Sequence, residues 1–395
     1  MKSNSLKSNA VVVVGGGFGG LTTALSLSSC KGRPTIILIE PRSRFVFLPL
    51  LYELLSGEMK AWEVAPSYSS LLASRGIVLI KQRIANIDLE GEVVITSLGQ
   101  VIKYSQLVIS TGSKVDHFSI PGVEEHCLMF NKYEDVIKIK KLVEALNRST
   151  ESKDNIVIVG GGATGVELAC KLSDLLHGNH TVHLIELDEK VLPNGKSFNQ
   201  EQIQQALNKR SIKLHLNTRV VKITEHVVEI ENANENYSKQ SDSLTYAGVI
   251  WTAGVKASAP DGLASSLLKD GRLLINSKLQ VLGYDNVFSI GDVSFDIRQP
   301  LIGTAQVAMQ QGDHLAKNLI AYHQGKELTS FNFVDRGEML SMGIGEATIT
   351  SMGFTLSGPL AFQVRRMAYL SKFPNLSLGI RSAGSWLLSY RNKFI

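Results

Sequence analysis

Ala10-Val11-Val12-Val13-Val14-Gly15-Gly16-Gly17-Phe18-Gly19-Gly20 is an apolar run that ends in a glycine cluster. A β-branched stretch with no polar alternation reads as a parallel strand buried on both faces. Leu21–Leu27 then takes on helical character. Each glycine of the turn has a task. Gly15 allows the tight turn, Gly17 lets the backbone approach a pyrophosphate, and Gly20 lets the helix pack closely on the strand. Phe18 and Gly19 complete the loop, and the helix N-terminus presents N–H groups and a positive dipole end to phosphates. A second apolar strand, Thr35–Ile39, ends in Glu40, 25 residues after Gly15. A carboxylate there accepts hydrogen bonds from ribose hydroxyls.

The design recurs. Ile156–Val159 leads into Gly160-Gly161-Gly162-Ala163-Thr164-Gly165, then a helix over Val166–Leu176. The strand Val182–Ile185 ends in Glu186, 26 residues after Gly160. One glycine match is weak evidence, but two with their strand, helix and terminal acid predict an α/β chain with two Rossmann-like domains. Gly160, Gly162, Thr164 and Gly165 are the second loop's phosphate candidates. A carboxylate at Glu186 favours the NADH 2′-hydroxyl and repels the NADPH 2′-phosphate.

At 395 residues the chain is too long for one ordinary core. It is 44% apolar and 19% charged, which reads as globular. Net charge is +5, unevenly placed. No acid follows Glu346, while Arg365, Arg366, Lys372, Arg381, Arg391 and Lys393 do. Taking those six from the 41 Lys and Arg leaves 35 against 36 Asp and Glu. A near-neutral body with a basic tail points to an anionic surface and away from nucleic acid. Cys30, Cys127 and Cys170 form no CxxC pair, disulfide framework or zinc spacing, and no metal site is expected. The run Val11–Val14 is too short for a signal-peptide core, and no stretch is long enough to span a bilayer. The expectation is a protein that is not secreted.

The motif order resembles the pyridine-nucleotide-dependent flavoproteins, whose first fingerprint holds FAD and whose second holds NAD(P)H. Leu107–Ser113 resembles the strand ending in Ala-Thr-Gly where the chain leaves the FAD domain, with Ser110 for the usual alanine and Thr111 and Gly112 intact. Val249–Val255, with Ala253 and Gly254, resembles the return crossing. Val287–Asp292 resembles the late FAD motif, where Gly291 precedes an aspartate that binds the ribityl chain. Taken singly, Asp292 reads equally as a helix N-cap. The resemblance implies non-covalent FAD, NADH or NADPH as substrate, and a disulphide-reductase-like fold. It divides the chain into an FAD domain at 1–115, an NAD(P)H domain at 116–248, a resumed FAD domain at 249–328 and a C-terminal amphipathic element at 329–395. Polar residues Asn232–Ser243 read as a hairpin tip. Glu167 reads either as a first-turn acid favourable to the helix dipole or, as in similar flavoproteins, as a group near the nicotinamide.

Members of that superfamily differ in what accepts the electrons. Disulfide reductases place a cysteine pair after the second strand, whereas Phe47–Leu55 here holds none, so the redox disulfide is absent. Sulfide:quinone reductases also need paired cysteines, and Cys127 has no C-terminal partner. Ala305-Gln306-Val307-Ala308-Met309-Gln310-Gln311 follows Asp292 at the spacing seen in type II NADH:quinone dehydrogenases. In that family the Ala-Gln turn meets the flavin and the glutamines border the quinone pocket. Gln306 and Gln310 lie one turn apart on one face, a pattern that an ordinary polar helix face also shows. Leu48–Pro66 and Asp335–Leu388 resemble the demethylphylloquinone reductases of cyanobacteria and plastids. That implies two-electron reduction of a membrane naphthoquinone in phylloquinone biosynthesis. The subfamily is associated with NADPH as well as NADH, which sits uneasily with Glu186. Other readings are a respiratory-type NADH:plastoquinone or menaquinone dehydrogenase, reduction of a protein such as a ferredoxin, and an NAD(P)H-sensing flavoprotein that acts by partner binding.

Between Pro359 and Pro374, Leu360, Val364, Met367 and Leu370 make an aliphatic helix face. The other side interleaves Phe362, Arg366, Tyr369 and Phe373 with Arg365 and Lys372. Trp386, Tyr390 and Phe394 are spaced four apart, beside Arg391 and Lys393. Rings and cations without acids suit an anionic lipid interface and a peripheral place on the cytoplasmic side of a membrane. Packing on the protein's own domain, or in a homodimer, is the other reading.

Overall fold

The structure is a computed structural model that describes residues 9–149, 155–233 and 241–370. Packing divides the chain into two compact units. One takes in 1–45, 66–114 and 255–334, the other 46–65, 115–254 and 335–395.

The first unit is built on a five-stranded parallel sheet in the order Val287–Ser289, Gln106–Ile109, Ala10–Val14, Thr35–Ile39, Ile77–Ile80. Ala10–Val14 is central and buried throughout, as a β-branched run without polar residues requires. The helix Phe18–Ser28 follows it and packs against the long helix Ala305–His323. The two helices come close because both are glycine there. A Cβ on Gly312 would lie 2.7 Å from the Gly19 carbonyl oxygen.

The second unit repeats the plan, with parallel order Lys213–His215, Thr181–Ile185, Asn155–Val159, Gly248–Trp251, Leu128–Met129. The helix Ala163–Leu175 follows its central strand. Val227–Asn232 and Ser241–Thr245 pair antiparallel on either side of the expected hairpin tip, whose residues 234–240 lie outside the described ones. A three-stranded antiparallel meander, Glu338–Ser341, Ala347–Ser351 and Phe354–Gly358, leads into the helix Pro359–Leu370.

Two segments fall differently from the expected boundaries. Residues 46–65 and 335–370 pack within the second unit, not in the first FAD segment or as an element apart. The cause is polar. Buried Asn199, on the helix Ser197–Lys209, accepts from Thr348 Oγ1 at 2.8 Å and Thr350 Oγ1 at 2.9 Å and donates to Glu338 Oε2 at 2.7 Å. A buried amide satisfied on both sides fixes the meander to that helix. The second tail segment, with Trp386, Tyr390 and Phe394, lies outside the described residues, as do Lys372 and Phe373.

Candidate active site

Both glycine loops have the geometry their spacing predicts. Gly15 has φ +95°, and a Cβ there would sit 2.4 Å from the Ser110 carbonyl oxygen. Gly160 has φ +106°, and its Cβ would lie 2.8 Å from Ala253 Cα. Neither position admits another residue. A Cβ on Gly20 would fall 1.9 Å from Gly15 O, and one on Gly165 1.7 Å from Gly160 O. Gly17 and Gly162 are the opposite case, since a Cβ on either meets nothing within 4 Å. Each is the N-cap of the following helix and has no side chain to cap it. Open space above uncapped helical N–H groups is what an anionic pyrophosphate requires.

Ser110 and Thr252 do the same work in the two loops. Ser110 Oγ donates to Val14 O and Gly15 O, both at 2.9 Å. Thr252 Oγ1 donates to Val159 O at 2.8 Å and Gly160 O at 3.0 Å. The serine that replaces the usual alanine therefore braces the first glycine turn. Thr111 Oγ1 donates to Ser258 O at 2.6 Å, while Gly112 (φ +67°) and Gly254 (φ +69°) supply the left-handed bends of the two crossings.

The strand-end carboxylates differ. Glu40 is 2% exposed and accepts from Gly16 N–H and from Arg42 N–H, Nε and Nη2, at 2.8–2.9 Å. Burial alone would raise its pKa, but the Arg42 guanidinium and the two backbone N–H groups hold it below the ordinary value. Glu186 accepts from Gly161 N–H on one oxygen and Asp188 N–H on the other, leaving acceptor capacity on each. Asp292 closes the first unit's late motif. Its Oδ2 accepts from Ser113 Oγ at 2.7 Å, and Gly291 before it has φ +72°. Phe18 packs edge-on against Phe45, ring centroids 5.2 Å apart, beside the first loop.

Gln306 stands in the first turn of the helix from Ala305, whose N-cap Thr304 accepts from Val307 N–H. Gln310 is drawn into a backbone clamp. Its Nε2 donates to Val334 O at 2.9 Å, its Oε1 accepts from Val334 N–H at 3.1 Å, and Nε2 also lies 3.4 Å from Gln306 Oε1.

Glu167 is not in the first helical turn. The helix begins at Ala163, so the dipole reading falls. The carboxylate is buried, accepts from Ser341 N–H at 2.6 Å and faces Arg365 Nη2 at 3.4 Å. Burial pushes its pKa up to about 7, against the pull of Arg365 and the Ser341 N–H.

Around it lies a charge cluster that sequence reasoning missed. Arg365, fully buried, pairs with Glu53 and donates to Pro49 O at 2.5 Å. Lys171, also fully buried, pairs with Glu58, whose other oxygen accepts from Gly345 N–H at 2.9 Å. One signal was available. Lys171 follows Glu167 by four residues in a helix, and Glu53 and Glu58 interrupt an apolar run. Tyr52, beside them, is buried, and burial raises its pKa.

The C-terminal helix corrects the expected orientation. Phe362, Arg365 and Arg366 are buried, while Leu360, Val364 and Met367 are 63%, 44% and 62% exposed. The guanidinium of Arg365 lies over Tyr369 and that of Arg366 over Phe362, 5.1 and 5.5 Å from the ring centroids. The basic-aromatic side thus faces the protein and the aliphatic stripe faces out, because Glu53 and Glu167 offer Arg365 a partner inside. Among the described residues no helix is long and apolar enough to cross a membrane.

The open glycine cradles and strand-end carboxylates fit two dinucleotides, FAD in the first unit and NAD(P)H in the second. Comparison with known proteins agrees with that. Over 95% of this chain and 97% of the relative, the sequence is 36% identical to demethylphylloquinone reductase of Synechocystis. It is 31% identical to an alternative NAD(P)H-ubiquinone oxidoreductase of Arabidopsis thaliana, covering 95% and 80% of the two chains. In structure it is similar to NDH2 from Plasmodium falciparum, with a TM-score of 0.84, 17% identity and coverage of 96% and 98%. The family model described as pyridine nucleotide-disulphide oxidoreductase matches residues 9–312, which hold both glycine loops, both crossings and Asp292. This chain, with its redox cysteines absent, belongs to the pyridine nucleotide-disulphide oxidoreductase family.

Proposed function

We propose that the protein is an FAD-dependent NAD(P)H:quinone oxidoreductase that reduces a membrane naphthoquinone of the demethylphylloquinone class. The observation that carries this reading is the near full-length likeness to a demethylphylloquinone reductase, joined to two complete dinucleotide cradles. FAD, when bound, would supply the two-electron chemistry between nicotinamide hydride and a quinone that also takes up two protons. The chain's own residues bind and orient. Gly15, Gly17, Gly19 and Gly20 cradle one pyrophosphate, with Glu40 at its ribose, and Asp292 holds the ribityl chain. Gly160, Gly162, Thr164 and Gly165 receive the nicotinamide dinucleotide, and Ala253 and Gly254 close the crossing beside it.

Glu186 meets the ribose hydroxyls with its two remaining acceptor sites. A carboxylate at that place repels a 2′-phosphate, so NADH is the better of the two substrates. Gln306, at a helix N-terminus, is the side chain that meets the flavin and quinone, with Gln310 behind it. Glu167, on the helix that follows the second loop, is the acidic group near the nicotinamide, and its burial favours the protonated form.

A quinone confined to lipid requires the enzyme to work at a membrane surface. The exposed stripe Leu360, Val364, Met367 and the meander tip Met352 and Phe354, 81% and 77% exposed, are the docking face on the cytoplasmic side. The test is turnover by purified full-length protein with demethylphylloquinone-like and plastoquinone-like acceptors, each with NADH and NADPH. Fast oxidation with the naphthoquinone supports the proposal. Preference for the benzoquinone would make it a respiratory-type dehydrogenase, and slow flavin reduction without turnover would make it a sensor.

A further inference from the structure

The helix Ala305–His323 carries two consecutive glutamines that face different ways. Gln310 clamps the backbone of Val334, whereas Gln311, 4% exposed, turns toward the sheet. Its Oε1 accepts from Gly291 N–H at 2.7 Å. Gly291 opens the short 3-10 turn Gly291–Val293, which leaves the strand Val287–Ser289 and sets the direction of Asp292. Asp292 is then held from the other side, because Ser113 Oγ donates to its Oδ2 at 2.7 Å. A Cβ on Gly303 would lie 2.6 Å from its Oδ1, so the chain leaves that oxygen room. Gln311, Gly291, Asp292 and Gly303 line one pocket.

We propose that Gln311 is a positioning residue for the flavin's ribityl chain, fixing the Gly291 turn so that Asp292 presents its carboxylate to the ribityl hydroxyls. This rests on the reading of the first unit as the FAD site. The position asks for an acceptor on a side chain long enough to reach from the helix to the turn. Without it, the part-buried Gly291 N–H loses its partner whenever Asp292 is correctly aimed. The turn then relaxes to satisfy that N–H, and the carboxylate moves. Ser113 acts on the same carboxylate from the crossing strand, so the two residues are coupled through Asp292.

The test measures FAD affinity of flavin-stripped full-length protein by quenching of flavin fluorescence, together with the bound flavin's absorption spectrum. Gln311→Met keeps length and volume but removes the acceptor. It is expected to weaken FAD about 10-fold, the consequence of one part-buried donor left unsatisfied. Gln311→Glu keeps an acceptor and is expected to stay within about threefold of wild type. Ser113→Ala is expected to weaken FAD about 10-fold, with the double variant falling short of the product of the two effects. Wild-type affinity in Gln311→Met overturns the proposal, as do equal losses in Met and Glu variants, or independent effects of Gln311 and Ser113. Should Gln311→Met fail to fold, Gln311→Asn, one methylene short of the bond, decides by the same criterion. Wild-type protein that binds no FAD would instead overturn the cofactor reading beneath.

Discussion

Arg365 and Glu53, 312 residues apart in sequence, form an ion pair with both side chains fully buried. Removing one partner strands the other charge in a dry interior. Arg365→Met should therefore cost about 3–5 kcal/mol of unfolding free energy, while Glu53→Leu/Arg365→Met recovers most of it. Urea denaturation of the three proteins checks this. Equal stability of the single and double variants would show that the pair carries no such penalty.

Glu167 makes stability pH-dependent. Its folded pKa is pushed from the ordinary 4.5 up to about 7, so between those values the native state holds a proton that the unfolded chain has lost. Stability from this group is full below the unfolded value and is lost as pH rises through the folded one. Glu167→Gln should flatten the fall in melting temperature between pH 5 and 8. An unchanged slope would assign the pH dependence elsewhere.

Gly17 and Gly162 separate binding from folding. Both have ordinary negative φ (−66° and −69°) and open space where a Cβ would go. Gly17→Ala should leave flavin-free stability nearly unchanged, within about 0.5 kcal/mol, while weakening FAD at least ~10-fold. Gly162→Ala should do the same to NADH and leave the flavin in place. Gly20→Ala and Gly165→Ala collide with backbone and should lower the melting temperature itself.

Glu186→Ala removes the acceptors for the ribose hydroxyls and the repulsion of a 2′-phosphate. The NADH KM should rise about 10-fold and the NADPH KM should fall, moving the kcat/KM ratio toward NADPH. Steady-state assays with both nucleotides measure it. A parallel rise in both constants would show that Glu186 only supports the loop through Gly161 and Asp188.

Leu360→Ser/Val364→Ser/Met367→Ser should abolish co-sedimentation with neutral vesicles without changing the melting temperature, because all three side chains are exposed. Since Arg365 and Arg366 face inward, raising salt should weaken wild-type binding little more than in the absence of those cations. Retained binding in the triple variant would move the docking surface elsewhere.

What could be read in the sequence is what is local. Strand, glycine turn and helix follow one another along the chain, so Gly15–Gly20 and Gly160–Gly165 announce their backbone shape with no tertiary information. The helical stripe Leu360–Val364–Met367 was equally local, but its direction was not. An amphipathic helix with aliphatic side chains on one face and ring-cation pairs on the other offers two faces to bury. The choice was settled by Glu53 and Glu167, remote in sequence and themselves unexpected inside. Glu167 falls a turn later than expected because Ala163, behind its N-cap Gly162, and not Val166, starts the helix. Gln311 stood within the quoted motif, yet its partner Gly291 lies 20 residues earlier and gives no sign in composition.

The row Glu167, Lys171 and Asp174 runs down one side of the helix Ala163–Leu175, and every member reaches residues made much later. Glu167 meets Ser341 and Arg365, Lys171 packs under Phe362, and Asp174 receives the Ile344 N–H at 2.7 Å. During synthesis, then, the second glycine loop can emerge long before Glu167 has a cation beside it, although Lys171 and Asp174 find Glu58 and Arg210 sooner. A nascent chain stopped ahead of Pro359 would hold a Rossmann core whose Glu167 lacks Arg365 and whose Lys171 lacks the Phe362 ring. The nucleotide-binding unit becomes whole only when the ribosome has delivered the helix at Pro359–Leu370.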